Sequence, residues 1–260
     1  MKPILLQIGG FSLRSYGLMI ALGILAGTTL ACYLVREDKR RVDLIQDFLL
    51  WAIPSAVLGG RLWEVVFSWS YFSQHPAEIL AVWKGGLSIQ GAITGGIIAL
   101  IVFCRVHQLR FWPMADNLTY GVLLGQAIGR VGCFLNGDAY GKPTGVAWGA
   151  VYQPGTPAYL SFGNLPLWPA ELFEAGWDLA LLAVLLLFRK RLNKPGQVFA
   201  LYLIGYSFGR LMLEFLRADS LMLVSGLKVA QVTSLAAMVV GCIVLIVAPL
   251  LSEPDRSASA

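Results

Sequence analysis

The stretch Gly-Arg-Val-Gly-Cys-Phe-Leu-Asn-Gly-Asp-Ala-Tyr-Gly, residues 129–141, closes an apolar run that begins near residue 116. Arg130 therefore lies inside the end of a segment long enough to cross a membrane. A charge at that depth costs roughly 2.5–3.5 kcal/mol on insertion scales, so Arg130 is expected to have a function. Its small and polar neighbours would let an anionic ligand approach the backbone and the guanidinium together. These neighbours are Gly129, Gly132, Asn136, Gly137, Asp138 and Gly141. The stretch thus predicts an anion site at membrane depth.

The composition places the whole chain in a membrane. Hydrophobic residues make up 57% of the 260 residues and charged residues 13%, whereas soluble domains have about 25% charged residues. The mean hydropathy is +0.68. Apolar runs near the length of about 17–25 residues that spans a bilayer lie at residues 16–35, 44–67, 86–104, 116–135, 170–188, 197–216 and 228–251. We therefore predict an all-α polytopic membrane protein with seven transmembrane helices in one domain, residues 1–251.

Basic residues in the loops predict the orientation of the chain. Dense clusters at residues 36–41 and 189–194 fall on the same side when the loops are counted alternately, and such clusters mark the cytoplasmic side. The amino terminus is then periplasmic and the carboxyl terminus cytoplasmic. The net charge of +5 comes largely from these loops. Since the loops lack interleaved aromatic residues, a nucleic-acid partner is not expected.

Two segments lie outside the predicted helices. Residues 137–169, between the fourth and fifth helices, are rich in Gly, Pro and aromatic residues, which favours a small folded periplasmic cap of short strands and turns. Residues 252–260 are polar and are predicted to form a disordered cytoplasmic tail. The four cysteines lie in or at the ends of apolar runs without paired metal-ligand spacing, so neither a disulfide framework nor a zinc site is expected. No cofactor or other metal is expected.

The predicted sixth helix carries a polar face. Tyr206, Arg210, Glu214 and Arg217 are separated by four, four and three residues, and this spacing puts them on one side of a helix. One interpretation is an internal ion pair between Arg210 and Glu214 that only locks helix packing. The other is a charged face that looks into a ligand cavity.

Arginines in or next to the predicted spans outnumber the carboxylates near them. The arginines are Arg61, Arg130, Arg210 and Arg217, and the carboxylates are Glu64, Asp138 and Glu214. Arg61 and Glu64, three residues apart, are placed to neutralise each other. The positive charge that remains favours a phosphate headgroup as the ligand.

Glycines recur four residues apart within three of the predicted helices. This spacing is typical of helices that pack closely in membranes. The positions are Gly91 and Gly95, then Gly121, Gly125 and Gly129, then Gly205 and Gly209. Close packing would bring Gln90, Arg130 and Arg210 toward one centre.

Six motifs that together cover nearly the whole chain resemble the bacterial prolipoprotein diacylglyceryl transferase family. They lie at residues 14–19, 60–62, 85–91, 129–141, 169–174 and 209–217. The resemblance implies a multi-pass enzyme of the bacterial inner membrane with its active site toward the periplasm. Family members transfer the sn-1,2-diacylglyceryl group of phosphatidylglycerol to the lipobox cysteine of a prolipoprotein. This first step of lipoprotein maturation forms a thioether and releases glycerol 1-phosphate.

The resemblance also implies partners and residue roles. The partners are phosphatidylglycerol, prolipoprotein signal peptides with a lipobox cysteine, and the lipid bilayer, and the enzyme is expected to be a monomer. Arg130 and Arg210 would bind the phosphate, and Glu214 would orient Arg210. Tyr16 would donate a hydrogen bond. The headgroup pocket and the wider substrate site would be formed by Asn136, Gly137, Asp138, Gly141, Tyr206, Arg217 and Arg61.

The chain departs from the family pattern at four positions. Gln90 stands where many members have histidine, and Cys133 stands where asparagine is common. Trp168 and Phe173 replace a histidine and a tyrosine. Gln90 cannot act as a base at neutral pH, although it can hydrogen-bond in the active site. We therefore expect thiol deprotonation to rely on the arginine-rich field, with Tyr16, Asp138 or Glu214 as the proton acceptor.

Three alternatives remain at the level of sequence. Cys133 could relay the lipid covalently through its own thiol. The arginines could form the midplane site of an anionic-lipid transporter, although the odd number of helices and the lack of repeated halves speak against alternating access. A catalytically inactive relative could bind lipid or lipoprotein as a scaffold.

Overall fold

The computed structural model describes residues 4–8, 11–220, 222 and 226–251. The fold is helical apart from an antiparallel hairpin of β1 (Ile4–Ile8) and β2 (Phe11–Arg14). The long helices are α1 (Ser15–Leu34), α2 (Lys39–Phe67), α4 (Ile89–Val106), α5 (Phe111–Asn136), α7 (Ala170–Leu187), α8 (Gln197–Leu213) and α9 (Val229–Leu251). Short helices are α3 (Trp69–Phe72) and α6 (Pro157–Phe162), and single 3-10 turns lie at Pro76–Glu78 and Val82–Lys84. The predicted tail, residues 252–260, lies outside the described residues.

Each of the seven predicted apolar runs corresponds to one long helix. Five of them, α1, α2, α4, α5 and α9, are long and apolar enough to cross a membrane, so the chain is a polytopic membrane protein. Helix α8 is apolar but has 17 residues. Helix α7 has 18 residues and carries three buried acids. The seven-span topology therefore stays a prediction, and the amino-terminal hairpin was not predicted.

Two helices begin about five residues before their predicted apolar runs, α2 with a polar first turn and α5 with residues 111–115. Helix α2 begins at Lys39, where the side chain of Asp38 accepts a hydrogen bond from the Arg41 N–H at 3.1 Å and so caps the helix. Helix α5 begins at Phe111 and includes Asp116, which accepts hydrogen bonds from the Gly196 and Phe199 N–H groups at 2.7 and 2.8 Å. Asp116 thereby satisfies the exposed amides at the start of α8.

The chain divides into two compact units. The first comprises residues 1–31 and 116–260, and the second comprises residues 32–115. The prediction of one domain stays a prediction. In the first unit α7, α8 and α9 pack in sequence order, and α1 meets α5 where a Cβ on Gly27 would collide with the carbonyl oxygen of Gly121.

The second unit is built on the contact between α2 and α4. Added Cβ atoms on Gly91 and Gly95 would collide with the carbonyl oxygens of Gly59 and Ser55. The close packing predicted from the glycine spacing is therefore confirmed for this helix pair and for Gly121 with Gly27. Gly129 lies farther from its neighbours, 3.9 Å from the Ile20 side chain by the same measure.

Residues 137–169, which we call the cap segment, form a folded excursion between α5 and α7. Helix α6 and isolated bridges from Leu167 to Pro143 and Ala150 give it structure. Its own small core contains Tyr152, Ala158 and Leu167. The segment is folded, but it holds isolated bridges and helix α6 where short strands were predicted. Its periplasmic location stays a prediction. A further bridge joins Gly141 to Arg217, just beyond α8, so the cap segment is attached next to the charged residues.

Candidate functional site

Three arginines of the first unit meet around one carboxylate, that of Glu174. Glu174 lies in the second turn of α7, Arg130 near the end of α5, Arg210 in the last turn of α8, and Arg217 just after α8. We call these four residues the arginine hub.

Glu174 contacts all three arginines of the hub. Its Oε2 lies 2.7 Å from Nη2 of Arg130, and its Oε1 lies 2.8 Å from Nη1 of Arg210 and 2.9 Å from Nη1 of Arg217. The contacts of Arg210 and Arg217 are hydrogen bonds between ions, which are about twice as strong as neutral ones, and the contact of Arg130 is an ion pair. Glu174 therefore fixes the positions of the three guanidiniums relative to one another.

A second layer of charges supports the hub. Glu214 lies 2.8 Å from Arg210 through its Oε2 and 3.7 Å from the Lys228 ammonium through its Oε1. Lys228 also donates to the backbone carbonyls of Glu214 at 2.6 Å and Arg217 at 3.3 Å. Asp219 binds Arg217 through two nitrogens, at 3.0 and 2.6 Å. The expected pairing of Arg210 with Glu214 is present.

The arginines of the hub differ in exposure. The side chains of Glu174 and Arg217 are 5% and 8% exposed, whereas those of Arg130 and Arg210 are 20% and 18% exposed. Burial lowers the pKa of Arg217, but Glu174 and Asp219 outweigh this effect and raise it, so Arg217 remains a cation. Each guanidinium has five N–H donors, and Glu174 takes one nitrogen each from Arg130 and Arg210. These two arginines therefore keep both surface and donors for an anion.

Two tyrosines flank Arg130. The Tyr206 hydroxyl is within hydrogen-bonding reach of the Arg130 guanidinium, and its ring lies 5.8 Å from that of Tyr202. Tyr16, in the first turn of α1, packs against Gly132, where an added Cβ would lie 3.4 Å from the tyrosine ring. Both predicted tyrosines thus lie next to the predicted anion site.

The signature residues after Arg130 shape the junction between α5 and the cap segment. Asn136 donates to Asp138 at 2.8 Å, and Gly137 turns the chain with a φ of +72°, a conformation that favours glycine. The Gly141 N–H donates to the carbonyl of Trp168 at 3.1 Å. Asp138 lies beside the Cys133 thiol. These contacts hold the chain close to the end of α5.

Arg61 has a different environment from the hub arginines. It belongs to the second unit, where it is buried and donates to the carbonyls of Ile79, Gly85 and Gly86 at 2.8–2.9 Å and also to that of Glu78. Its guanidinium lies 4.9 Å from the centre of the Phe72 ring. The expected neutralisation by Glu64 is corrected, because Arg61 satisfies backbone carbonyls of the loop between α2 and α4.

Replacing Arg61 with glutamine is expected to loosen this loop. Four carbonyl oxygens lose a charged donor, and the shorter amide cannot reach them all. Limited proteolysis should then cut faster within residues 76–88. Arg105→Gln, on the exposed side of the last turn of α4, is the control and should leave the cleavage rate unchanged. An equal cleavage rate in Arg61→Gln would contradict the structural role.

Gln90 also belongs to the second unit, in the first turn of α4. Its side-chain oxygen accepts a hydrogen bond from the Ser88 hydroxyl at 2.6 Å. Its carbonyl accepts another from the Thr94 hydroxyl at 2.8 Å. Gln90 is thus oriented by its own loop.

The central carboxylate was not predicted from the sequence. Glu174 was quoted only as part of a motif, and the count of carboxylates left out Glu174 and Asp219. The directly paired groups are four cations, Arg130, Arg210, Arg217 and Lys228, against three carboxylates, Glu174, Glu214 and Asp219. Glu171, Glu174 and Asp178 are three and four residues apart inside one apolar run. This spacing could have predicted an acidic face on α7.

A tyrosine of the cap segment was also missed. The Tyr152 hydroxyl donates to both oxygens of Glu171, at 2.8 and 3.0 Å. Burial raises the pKa of Tyr152, and the Glu171 carboxylate raises it further. Tyr152 therefore stays a neutral donor and ties the cap segment to the start of α7.

Comparison with known proteins identifies the family of this chain. The family model described as prolipoprotein diacylglyceryl transferase matches residues 3–247. A phosphatidylglycerol–prolipoprotein diacylglyceryl transferase of Synechocystis sp. is 42% identical over 253 residues, with 92% of this chain and 86% of the relative covered. A protein of the same name from Limosilactobacillus reuteri is 40% identical over 265 residues, with 95% and 91% covered. The Nostoc sp. protein of that name is 41% identical, with 92% and 86% covered. The chain belongs to the prolipoprotein diacylglyceryl transferase family.

Proposed function

We propose that this chain transfers the sn-1,2-diacylglyceryl group of phosphatidylglycerol to the lipobox cysteine of prolipoproteins and releases glycerol 1-phosphate. The observation that carries the proposal is the pair of partly exposed guanidiniums, Arg130 and Arg210, tied to one carboxylate at 2.7 and 2.8 Å. Two arginines held in this way suit a phosphate group, which accepts hydrogen bonds from several directions. Family membership supplies the class of reaction.

The proposed chemistry uses the positive charge of Arg130 and Arg210 twice. The lipobox thiol loses its proton, its sulfur forms a bond to the glycerol carbon, and the bond from that carbon to the phosphate oxygen breaks. A free thiol has a pKa of about 8.5, and nearby cations favour the thiolate. The same cations stabilise the charge that accumulates on the departing phosphate. Asp138 is the best-placed proton acceptor of the three candidates, because a tyrosine such as Tyr16 is a neutral phenol at pH 7 and Glu214 is committed to Arg210.

The remaining roles are proposed on the same geometry. Tyr206 and Tyr16 orient the headgroup beside Arg130, and Arg217 anchors Glu174. Asn136, Gly137 and Gly141 form the wall of the pocket at the end of α5. Arg61 is assigned to the loop that it stabilises.

The proposed membrane arrangement adds two spans to the five helices that are long and apolar enough to cross a membrane. We include α7 and α8 as spans because their exposed large side chains are apolar, for example Leu179 and Leu187 on α7 and Phe208 on α8. With seven spans in the inner membrane, the basic loops place the amino terminus and the cap segment on the periplasmic side and the carboxyl terminus in the cytoplasm. The protein acts as a monomer with a single transmembrane domain and needs no cofactor.

Mass spectrometry tests the proposed reaction. The purified protein is incubated with phosphatidylglycerol vesicles and a lipobox peptide, and a matched peptide with serine in place of the cysteine is the control. A diacylglyceryl mass shift on the cysteine peptide alone supports the transferase. Lipid binding without a mass shift points to a scaffold, and lipid movement across the vesicle without chemistry points to a transporter.

Replacing Gln90 with alanine is expected to lower turnover without abolishing it. Gln90 can position a substrate group by hydrogen bonding but cannot take a proton at neutral pH. Loss of a general base typically lowers the rate by a factor of about 10²–10⁴. The loss of turnover in Gln90→Ala should therefore stay below about 10². The peptide assay measures it, with Ser88→Ala as the companion variant, since Ser88 orients Gln90. Complete loss of turnover would contradict a positioning role.

A further inference from the structure

The arginine hub already holds an anion of its own. The two oxygens of Glu174 are divided among three guanidiniums, with Arg130 on one oxygen and Arg210 and Arg217 on the other, all at 2.7–2.9 Å. Arginine nitrogens surround a bound phosphate in the same way. Glu174 therefore lies beside the position where a ligand phosphate would meet Arg130 and Arg210.

Glu174 is fixed from the buried side of the hub. Arg217, which is buried, contacts Glu174 and is itself held by two bonds to Asp219. Arg130 and Arg210 can thus turn their free donors toward a ligand while Arg217 keeps the carboxylate in place. A bound phosphate and the Glu174 carboxylate then share the same two arginines, and like charges at short range repel.

The substrate and the product of the proposed reaction differ in charge. The phosphodiester of phosphatidylglycerol carries one negative charge. The phosphomonoester that leaves carries about 1.5 to 2 negative charges at pH 7, because its second pKa is about 6. A cluster of arginines without a carboxylate would bind the monoester more tightly than the diester and would retain the product. A fixed carboxylate repels the dianion about twice as strongly as the monoanion, since Coulomb energy is proportional to charge.

We propose that Glu174 determines the charge preference of this site, so that a phosphodiester binds and a phosphomonoester leaves. The inference rests on the proposed function and adds product release to it. The charged groups that face Glu174 are Arg130 from α5, Arg210 and Arg217 from α8 and the residues after it, and Asp178 from its own helix. Glu214 lies beyond Arg210. Among the carboxylates of the described residues, Glu174 is the one that bridges both partly exposed arginines.

Direct binding of two soluble anions tests the preference. Isothermal titration at pH 8 compares glycerol 1-phosphate, a dianion, with glycerophosphoglycerol, a monoanionic diester, on the full-length protein in lipid nanodiscs. The unsubstituted protein is expected to favour the monoester over the diester by less than about tenfold, because Glu174 offsets the stronger attraction of the dianion to the arginines. In Glu174→Gln the affinity for the monoester should rise about tenfold or more relative to the diester. At pH 5, where the monoester keeps its second proton, this gain should disappear.

Turnover of the variant gives a second readout. Glycerol 1-phosphate should become a stronger inhibitor of Glu174→Gln, and kcat should fall while KM for phosphatidylglycerol does not rise. Glu171→Gln is the matched control, because Glu171 lies on the same helix and is bonded to Tyr152. Its ratio of the two affinities should equal that of the unsubstituted protein.

Two results would overturn the inference. The first is an unsubstituted protein that binds the monoester about tenfold more tightly than the diester at pH 8, and this result needs no variant to fold. The second is a Glu174→Gln protein that loses affinity for both anions equally, as a purely structural tie would. Peptide lipidation is measured on the same preparation. Lipidation without the charge preference leaves the proposed function standing, and absence of lipidation counts against the proposed function itself.

Discussion

Replacing Arg130 or Arg210 with lysine is expected to lower kcat/KM for peptide lipidation by about 10²–10³, the usual cost of removing one donor from a developing negative charge. Lysine keeps the charge but presents it as a point, whereas arginine presents a planar fork that can bind Glu174 and a phosphate at once. With lysine, the Glu174 contacts of 2.7 and 2.8 Å compete directly with the ligand. The mass-shift assay on the lipobox peptide measures the loss.

The control for these variants is Arg41→Lys. Arg41 is paired with Asp38 at 2.9 Å, and its side chain is 61% exposed, so lysine should serve there equally well. If Arg130→Lys and Arg210→Lys lipidate the peptide as fast as Arg41→Lys, the phosphate-binding role of the pair is contradicted.

Replacing Gly95 with alanine is expected to destabilise the second unit strongly. The added methyl group would collide with the Ser55 carbonyl and would lie 3.3 Å from the Gly59 Cα. Both obstacles are backbone atoms of α2, so the two helices must separate. Overpacking of this kind costs about 1–3 kcal/mol. Thermal unfolding of the detergent-solubilised protein, followed by tryptophan fluorescence, should show a lower Tm.

The neighbouring residue gives a matched control for this prediction. A Cβ on Gly96 meets no atom within 4 Å, and alanine is favoured over glycine in a helix by up to about 1 kcal/mol. Gly96→Ala should therefore keep or raise the Tm. A Tm for Gly95→Ala as high as that of Gly96→Ala would show that α2 and α4 are not in contact at this point.

The helices were largely predictable from the sequence because a membrane selects for length and hydrophobicity. The last two predicted runs, 197–216 and 228–251, correspond to helices at Gln197–Leu213 and Val229–Leu251. The errors occur at helix starts. Lys39 lies inside a helix whose predicted run begins at residue 44, and residues 111–115 lie inside a helix whose predicted run begins at Asp116. The hairpin at the amino terminus has no hydrophobic period long enough to predict it.

The arginines of the candidate site were predictable from the sequence, but their shared carboxylate was not. Arg130 was found because an arginine inside an apolar run is costly, and Arg210 was found because its neighbours repeat at helical spacing. The pair Arg210–Glu214 lies within one helix, where spacing alone gives the contact. Glu174 contacts arginines that follow it by 36 and 43 residues, and no local pattern specifies such a contact.

Arg61 shows the opposite case. The sequence places it beside Glu64 and among the surplus arginines, but the loop between α2 and α4 folds back so that four of its carbonyls face the guanidinium. Every residue has a backbone carbonyl, so the sequence does not show which carbonyls need a side-chain donor. Only the folded loop shows which of them are buried without a backbone partner.

The sequence by itself determined the class of the protein, the positions of its long helices and the identity of the cations that a membrane would not hold without a function. Tertiary structure decided which carboxylate those cations share. Helix propensity and hydrophobicity act along the chain, whereas ion pairs between helices depend on packing that brings α5, α7 and α8 together. Since Coulomb energy falls with distance, only that packing could make Glu174 the common partner of Arg130, Arg210 and Arg217.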